Sequence, residues 1–194
     1  MAPEPVAGGF VKASTTSRAP DQAGDEASRS VAFRRLAEEH LDASYGLASA
    51  ILGDPSEAQD AVHDAFLTAW RKWDTLRDPD SFPWWFRRIL VNTCRDRLRR
   101  VSRHPTVALP NEPGILSGDP IGIVHDHSVL DRAFSVLSAD DKVVLILRYF
   151  LDLPTDDIAH LLDIRPGTVG SRLNRAQARL REALTESDHA EAIS

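Results

Sequence analysis

From Ser30 onward apolar residues recur at helical spacing, and no stretch alternates as a half-buried strand does. Phe33, Leu36, Ala37, His40, Leu41, Leu47, Ala48 and Ile51 share one stripe that ends at Gly53. A second helix has a marked start, with Asp54 as N-cap, Pro55 in the first helical position and Glu57 placed for a capping box. Its apolar stripe is Ala58, Val62, Ala65, Phe66, Ala69, Trp70 and Trp73. A loop over 74–81 follows. The third helix, 82–101, offers Phe86, Leu90, Cys94, Leu98 and Val101 to a core.

Residues 104–127 break the pattern with Pro105, Pro110, Pro113, Pro120, Gly114, Gly118 and Gly122. They read as a flexible linker that, fully stretched, reaches about 80 Å. A second helical module opens with Leu130, Phe134 and Leu137, and Ser138 caps a helix carrying Val143, Val144, Leu147 and Phe150. Next comes a helix with Ile158, Ala159, Leu161 and Leu162. A turn over 163–167 leads to a last helix with Val169, Leu173, Ala176 and Leu180. Residues 1–27 are rich in Ala, Pro, Gly, Ser and Thr without periodicity, and read as a disordered tail. The predicted fold is all-α: a tail (1–27), a helical domain (28–101), a linker (102–127), a helix–turn–helix domain (128–186) and a C-terminal tail (187–194).

Composition changes this picture in one respect. The 194 residues are 42% apolar with a formal charge of −6, which supports a real core and argues against a generally basic nucleic-acid binder. The charge is segregated, however. Residues 84–103 hold seven Arg and one acid, 164–181 hold five Arg and no acid, and 54–64 hold four acids and no base. Arginine suits bidentate contact with phosphate or guanine, although a GC-rich genome gives the same preference over Lys. The single Cys94 excludes a disulfide framework or a cysteine-based zinc site within this chain. No run of eighteen apolar residues occurs, and 1–27 lack the basic start and apolar core of a signal peptide. A reducing cytoplasm is the expected location.

Four constellations could carry function. In the helix–turn–helix, Thr168 is placed to cap the second helix and offer its N–H groups to a phosphate. Arg172, Arg175 and Arg179 then share an outward face, with Ser171 and Arg165 near the tip. The plainer alternative is a solvated hairpin; five arginines without a compensating acid point to DNA. The segment 81–88 joins Trp84, Trp85 and Arg87 to a polar row of Arg88, Asn92, Arg95 and Arg99. Rings beside a basic row suit opened DNA, while the alternative puts both tryptophans in the core. The third is an acidic stripe, Glu57, Asp60 and Asp64, with His63 and Leu67 alongside. It would repel phosphate, so it suits a protein partner, against a merely solvated helix face. The fourth, His125-Asp126-His127 with His63-Asp64 and His40, is the pattern of a metal-dependent phosphohydrolase. Metal ligands need rigid elements, and this cluster sits at the end of the linker, so no metal, cofactor or enzyme activity is expected.

The order of these pieces resembles the extracytoplasmic-function group of the sigma-70 family. Residues 53–70, GDPSEAQDAVHDAFLTAW, look like that group's polymerase-binding helix. Residues 85–92, WFRRILVN, running on to DRLRR at 96–100, resemble its promoter-melting helix. Ile158-Ala159, Gly167-Thr168-Val169 and Ser171-Arg172-Leu173 resemble its C-terminal helix–turn–helix. The resemblance implies a region 2-like bundle and a region 4-like helix–turn–helix. Glu57, Asp60, His63, Asp64 and Leu67 would dock on the clamp coiled coil of the largest core polymerase subunit. Trp84, Trp85, Arg87, Arg88, Asn92, Arg95 and Arg99 would open and read the −10 element. Arg165, Thr168, Ser171, Arg172, Arg175 and Arg179 would read the −35 element. The linker would thread through polymerase, whose flap is a further contact, and an anti-sigma protein would hold the activity in check. No small-molecule substrate and no membrane insertion are implied. The chain has Gln59 and His63 where the family usually has Glu and Gln, and Gly170 where it often has Lys. The alternative is a helix–turn–helix regulator acting as a dimer, which predicts a receiver or ligand domain upstream.

Overall fold

Helices account for all the regular secondary structure among the described residues, which in this computed structural model are 20–103 and 133–192. They include α1 (Pro20–Leu52), α2 (Pro55–Arg71), α3 (Phe82–Arg103), α4 (Ala139–Tyr149), α5 (Thr155–Leu162) and α6 (Pro166–Ala192). Two 3₁₀ turns, Trp73–Thr75 and Pro79–Ser81, lie between α2 and α3. From Leu36 onward the chain forms one compact unit.

Helix α1 starts ten residues ahead of Ser30, inside the expected tail. The rest of the tail, 1–19, lies outside the described residues, as does the linker segment 104–127. At the other end α6 continues to Ala192, through most of the expected C-terminal tail.

The first module is built on small residues. Ala58, Ala61, Ala65 and Ala69 of α2 are wholly buried, so α3 packs closely against that face through Phe86, Leu90 and Cys94. The Asp54 side chain accepts from the Glu57 N–H at 2.8 Å, as the capping pattern predicts. Gly53 closes α1 with φ +75, a left-handed geometry glycine adopts without strain. Phe82 is 0% exposed and is the hub of the module. His40, Trp73, Trp85 and Phe86 all stack or tilt against it with ring centroids 5.5–6.0 Å away. Two expected core positions are instead exposed, Leu41 and Val101. The inward line of α1 runs His40–Ser44–Leu47–Ile51, one position off Leu41, and buried Ser44 satisfies its hydroxyl on the His40 carbonyl at 2.6 Å.

In the second module Ser138 caps α4 by accepting from the Asp141 N–H at 3.2 Å. Val143, Val144, Leu147, Ile158, Leu161 and Val169 are fully buried, while Leu173 and Leu180 are only partly so. Phe150, expected in this core, is exposed, because α4 ends at Tyr149 and the chain turns away at Asp152. The turn between α5 and α6 is made by Asp163 at φ 56, while Gly167 already lies in the first turn of α6.

Candidate nucleic-acid interface

Helix α3 separates two charged faces. Arg88, Asn92, Arg95 and Arg99 do form one row, and all four line a cleft of about 430 Å³ against Leu162, Asp163, Ile164 and Arg172 of the second module. The row is not open to solvent along its length. Arg99 donates to both carboxylate oxygens of Asp140, at 2.7 and 2.8 Å. Arg88 lies 3.7 Å from Asp163. The Trp84 ring tilts against His160 at 6.2 Å, and the Arg87 guanidinium sits over Trp84 at 5.9 Å. Trp85, partly buried, leans on Phe82 and is half a core residue.

The opposite face of α3 meets the acidic stripe. Arg97, at i+2 from Arg95, points toward α2 and donates to Glu57 at 2.7 Å and to Asp64 at 2.6 Å, with Asp60 3.9 Å away. Burial lowers the basicity of Arg97. The hydrogen bonds it donates to Asp64 and Glu57, with the charges of those carboxylates, outweigh that and leave it above its ordinary value. The stripe is therefore an intramolecular network with its own cation. Its outward part is Asp60, 69% exposed, with His63 and Leu67 also exposed. Beside it Asp64, Leu67, Thr68, Arg71 and Arg97 line a groove of about 300 Å³.

The recognition helix departs from expectation in two ways. Thr168 is not its cap: α6 starts at Pro166, and the Thr168 N–H is already spent on the Arg165 carbonyl at 2.9 Å. Ser171 donates to the Thr168 carbonyl at 3.0 Å. Nor do the three arginines share one free outward face. Arg172 is 19% exposed and donates to Asp140 at 2.9 Å, and Arg179 lies 3.6 Å from buried Asp141. Arg165 and Arg175 are exposed. The acids that compensate this basic helix come from α4, too far back in sequence for a count over 164–181 to include them.

Sequence reasoning missed Arg97, Asp140, Asp163 and His160. Arg97 carried a signal: it is one of seven arginines in 84–103, two residues out of step with the row and so on the other face of α3. Asp140 looked like an ordinary first-turn acid. Among the described residues no three His, Cys, Asp or Glu side chains come together as metal ligands. His125 and His127 lie outside the described residues. No described helix is long and apolar enough to cross a membrane.

Two family models match the chain, sigma-70 region 2 over residues 36–104 and sigma-70 region 4 over residues 127–180. The RNA polymerase sigma-E factor of Streptomyces coelicolor is 31% identical over 158 residues, covering 80% of this chain and 88% of its own. The ECF RNA polymerase sigma factor SigM of Mycobacterium tuberculosis is 32% identical over 153 residues, covering 79% and 77%. Among solved structures, the sigma factor RpoE bound to the anti-sigma factor NepR from Bartonella quintana is similar with a TM-score of 0.61. It is 25% identical, and the match covers 79% of this chain and 96% of that one.

Proposed function

The chain belongs to the extracytoplasmic-function group of the sigma-70 family, and from that premise we propose how its modules divide the work of promoter-specific initiation. As a sigma factor it binds core RNA polymerase and directs initiation through the −10 and −35 elements. The first module supplies both a polymerase contact and the melting surface, on opposite sides of α3. Asp60, His63 and Leu67, with Glu57 and Asp64 held by Arg97, form the polymerase contact. Trp84, Trp85, Arg87, Arg88, Asn92, Arg95 and Arg99 meet DNA being opened at −10. Arg175 leads the −35 contact, supported by Arg165, Thr168, Ser171, Arg172 and Arg179.

The observation that carries this reading is the two-faced α3. Cationic Arg97 ties acids that phosphate would repel to one side, and the row from Arg88 to Arg99 lies on the other. One helix can then join a protein contact to a DNA contact without mixing their charges. The protein works in the cytoplasm with polymerase, without chemistry of its own. An anti-sigma partner fits, since the RpoE structure that matches this chain holds the anti-sigma factor NepR. The test is reconstitution of the purified chain with core polymerase on a pool of genomic DNA, followed by sequencing of transcript starts. A shared upstream sequence pair among the starts is expected; starts no different from those of core polymerase alone would sink the reading.

A further inference from the structure

We infer that Asp141, buried beneath α6, is a specificity-determining residue: it draws Arg179 back from DNA and leaves Arg175 as the arginine that reads the −35 element. The inference rests on the proposed −35 role of α6 and refines it, with Arg179 supporting that contact from behind rather than touching DNA. Asp141 lies in the first turn of α4, and its side chain is 1% exposed. Leu137 and Leu145, four residues to either side of it, form an apolar cluster with Ala176 of α6. A carboxylate in such a place is costly to bury. Among the described residues neither of its oxygens has a hydrogen-bond partner, and Arg179 Nη1 stands 3.6 Å from one of them. Charge, not a hydrogen bond, therefore joins the two. An apolar side chain would fill the position without the desolvation, so stability does not account for the acid.

The effect of the acid falls on the outer face of α6. Arg172, Arg175 and Arg179 follow one another at i, i+3, i+7, so Arg175 stands between the other two. Asp140 takes Arg172 at 2.9 Å, and its neighbour Asp141 takes Arg179. Two adjacent carboxylates of α4 thus pull back the arginines on either side of Arg175, which is exposed. The Arg179 side chain is 45% exposed and is free to swing outward once released. A phosphate contact adds affinity without sequence information, whereas a bidentate arginine–guanine contact discriminates between bases. A released Arg179, one turn beyond Arg175, would take a phosphate on any sequence. Holding it to Asp141 lowers the affinity that is indifferent to sequence and keeps the contact that discriminates.

The test measures holoenzyme binding to promoter duplexes with an intact or a mutated upstream element, over a range of salt. Asp141→Asn keeps the shape of the side chain and removes its charge. It leaves only the half-exposed Arg179 unpaired, which water can solvate, so the fold is expected to survive. With Arg179 released to a phosphate, the slope of log affinity against log salt is expected to steepen by about 0.9. Discrimination between the two duplexes is expected to fall roughly fivefold. Arg179→Gln is expected to leave the slope unchanged, because Arg179 does not touch DNA in the wild type. That variant strands a buried carboxylate and loses stability, so the double variant, Asp141→Asn with Arg179→Gln, removes both charges together. It is expected to return slope and discrimination to wild-type values. A purely structural role for Asp141 would lower the melting temperature and leave the slope where it is. An unchanged slope in Asp141→Asn, a steeper slope that persists in the double variant, or a flatter slope in Arg179→Gln overturns the inference. The underlying −35 reading fails on a different observation, promoter preference of holoenzyme unmoved by Arg175→Ala.

Discussion

Arg99 of α3 and Arg172 of α6 meet on a single carboxylate, that of Asp140 at the start of α4. One helix from each module thus shares the same acceptor, and neither arginine is placed as a free surface cation. Unfolding of Asp140→Asn, Arg172→Ala and the double variant in urea forms a thermodynamic cycle. A coupling of about 1 kcal/mol is expected, within the range for residues in one ion-pair network. Strict additivity would show that the pair contributes nothing to the packed arrangement.

Arg175 and Arg95 separate reading from opening. Arg175 is exposed on α6, whereas Arg95 lines the cleft on α3. Arg175→Ala in holoenzyme is expected to cost about 1–3 kcal/mol and to relax preference in the upstream element alone. Arg95→Ala is expected to slow strand opening on every promoter, because a phosphate contact carries no sequence information. Permanganate footprinting of opened thymines, beside transcription from promoters mutated in each element, reads both. A change of upstream preference in Arg95→Ala means the modules are placed on the wrong DNA.

Gly170 lies inside α6 with open space where a Cβ would stand. Glycine in a helix costs roughly 0.5–1 kcal/mol relative to alanine. Gly170→Ala is therefore expected to raise the melting temperature by a few degrees. A fall in melting temperature would contradict the open space at this position.

Helix positions, caps and most of the core were legible in the sequence because they depend on neighbours within one or two turns. Asp54 and Ser138 cap as their patterns predict. The errors arise where tertiary contact decides. Leu41 and Val101 match the helical period yet face away from the core, and Phe82, read beside a DNA-facing segment, anchors the aromatic cluster. The polar row of α3 was readable as a row. Its occupants were not, because Asp140 is 41 residues from Arg99 and 32 from Arg172. Thr168 failed as a cap because Pro166, suited to a first helical position, starts the helix earlier.

Cys94 predicts a pH dependence. Burial pushes its thiol from 9.0 up to about 12, against the partial pull of the Arg97 charge. The folded state holds this proton more tightly than the unfolded state. Its contribution is complete below pH 9 and is lost as pH rises from 9 toward 12. The loss is about 1.4 kcal/mol per pH unit in that window. Cys94→Ala has no thiol to ionise, so its stability is expected to fall less steeply above pH 9 than that of wild type. Parallel slopes in urea titrations across the window would contradict the burial of the thiol.

The last prediction divides the acidic stripe. Asp64 bonds Arg97 at 2.6 Å and Glu57 bonds it at 2.7 Å, but Asp60 stands 3.9 Å away and is the most exposed of the three. Reversing Asp64 to Lys places a cation against Arg97 and attacks the α2–α3 packing as well as any docking. Reversing Asp60 touches the fold little, since exposed substitutions usually cost within about 0.5 kcal/mol. If the stripe docks on polymerase, Asp60→Lys is expected to weaken core binding by several kcal/mol through like-charge repulsion, with the melting temperature nearly unchanged. Asp64→Lys is expected to lower both. Arg97→Ala frees the three carboxylates and is expected to destabilise the chain by about 1 kcal/mol, discounted for the exposure of the acids. Titration of each variant against immobilised core polymerase, paired with thermal melts, separates these outcomes. Asp60→Lys binding as tightly as wild type would remove the stripe from the polymerase interface, leaving Arg97 with a structural role alone.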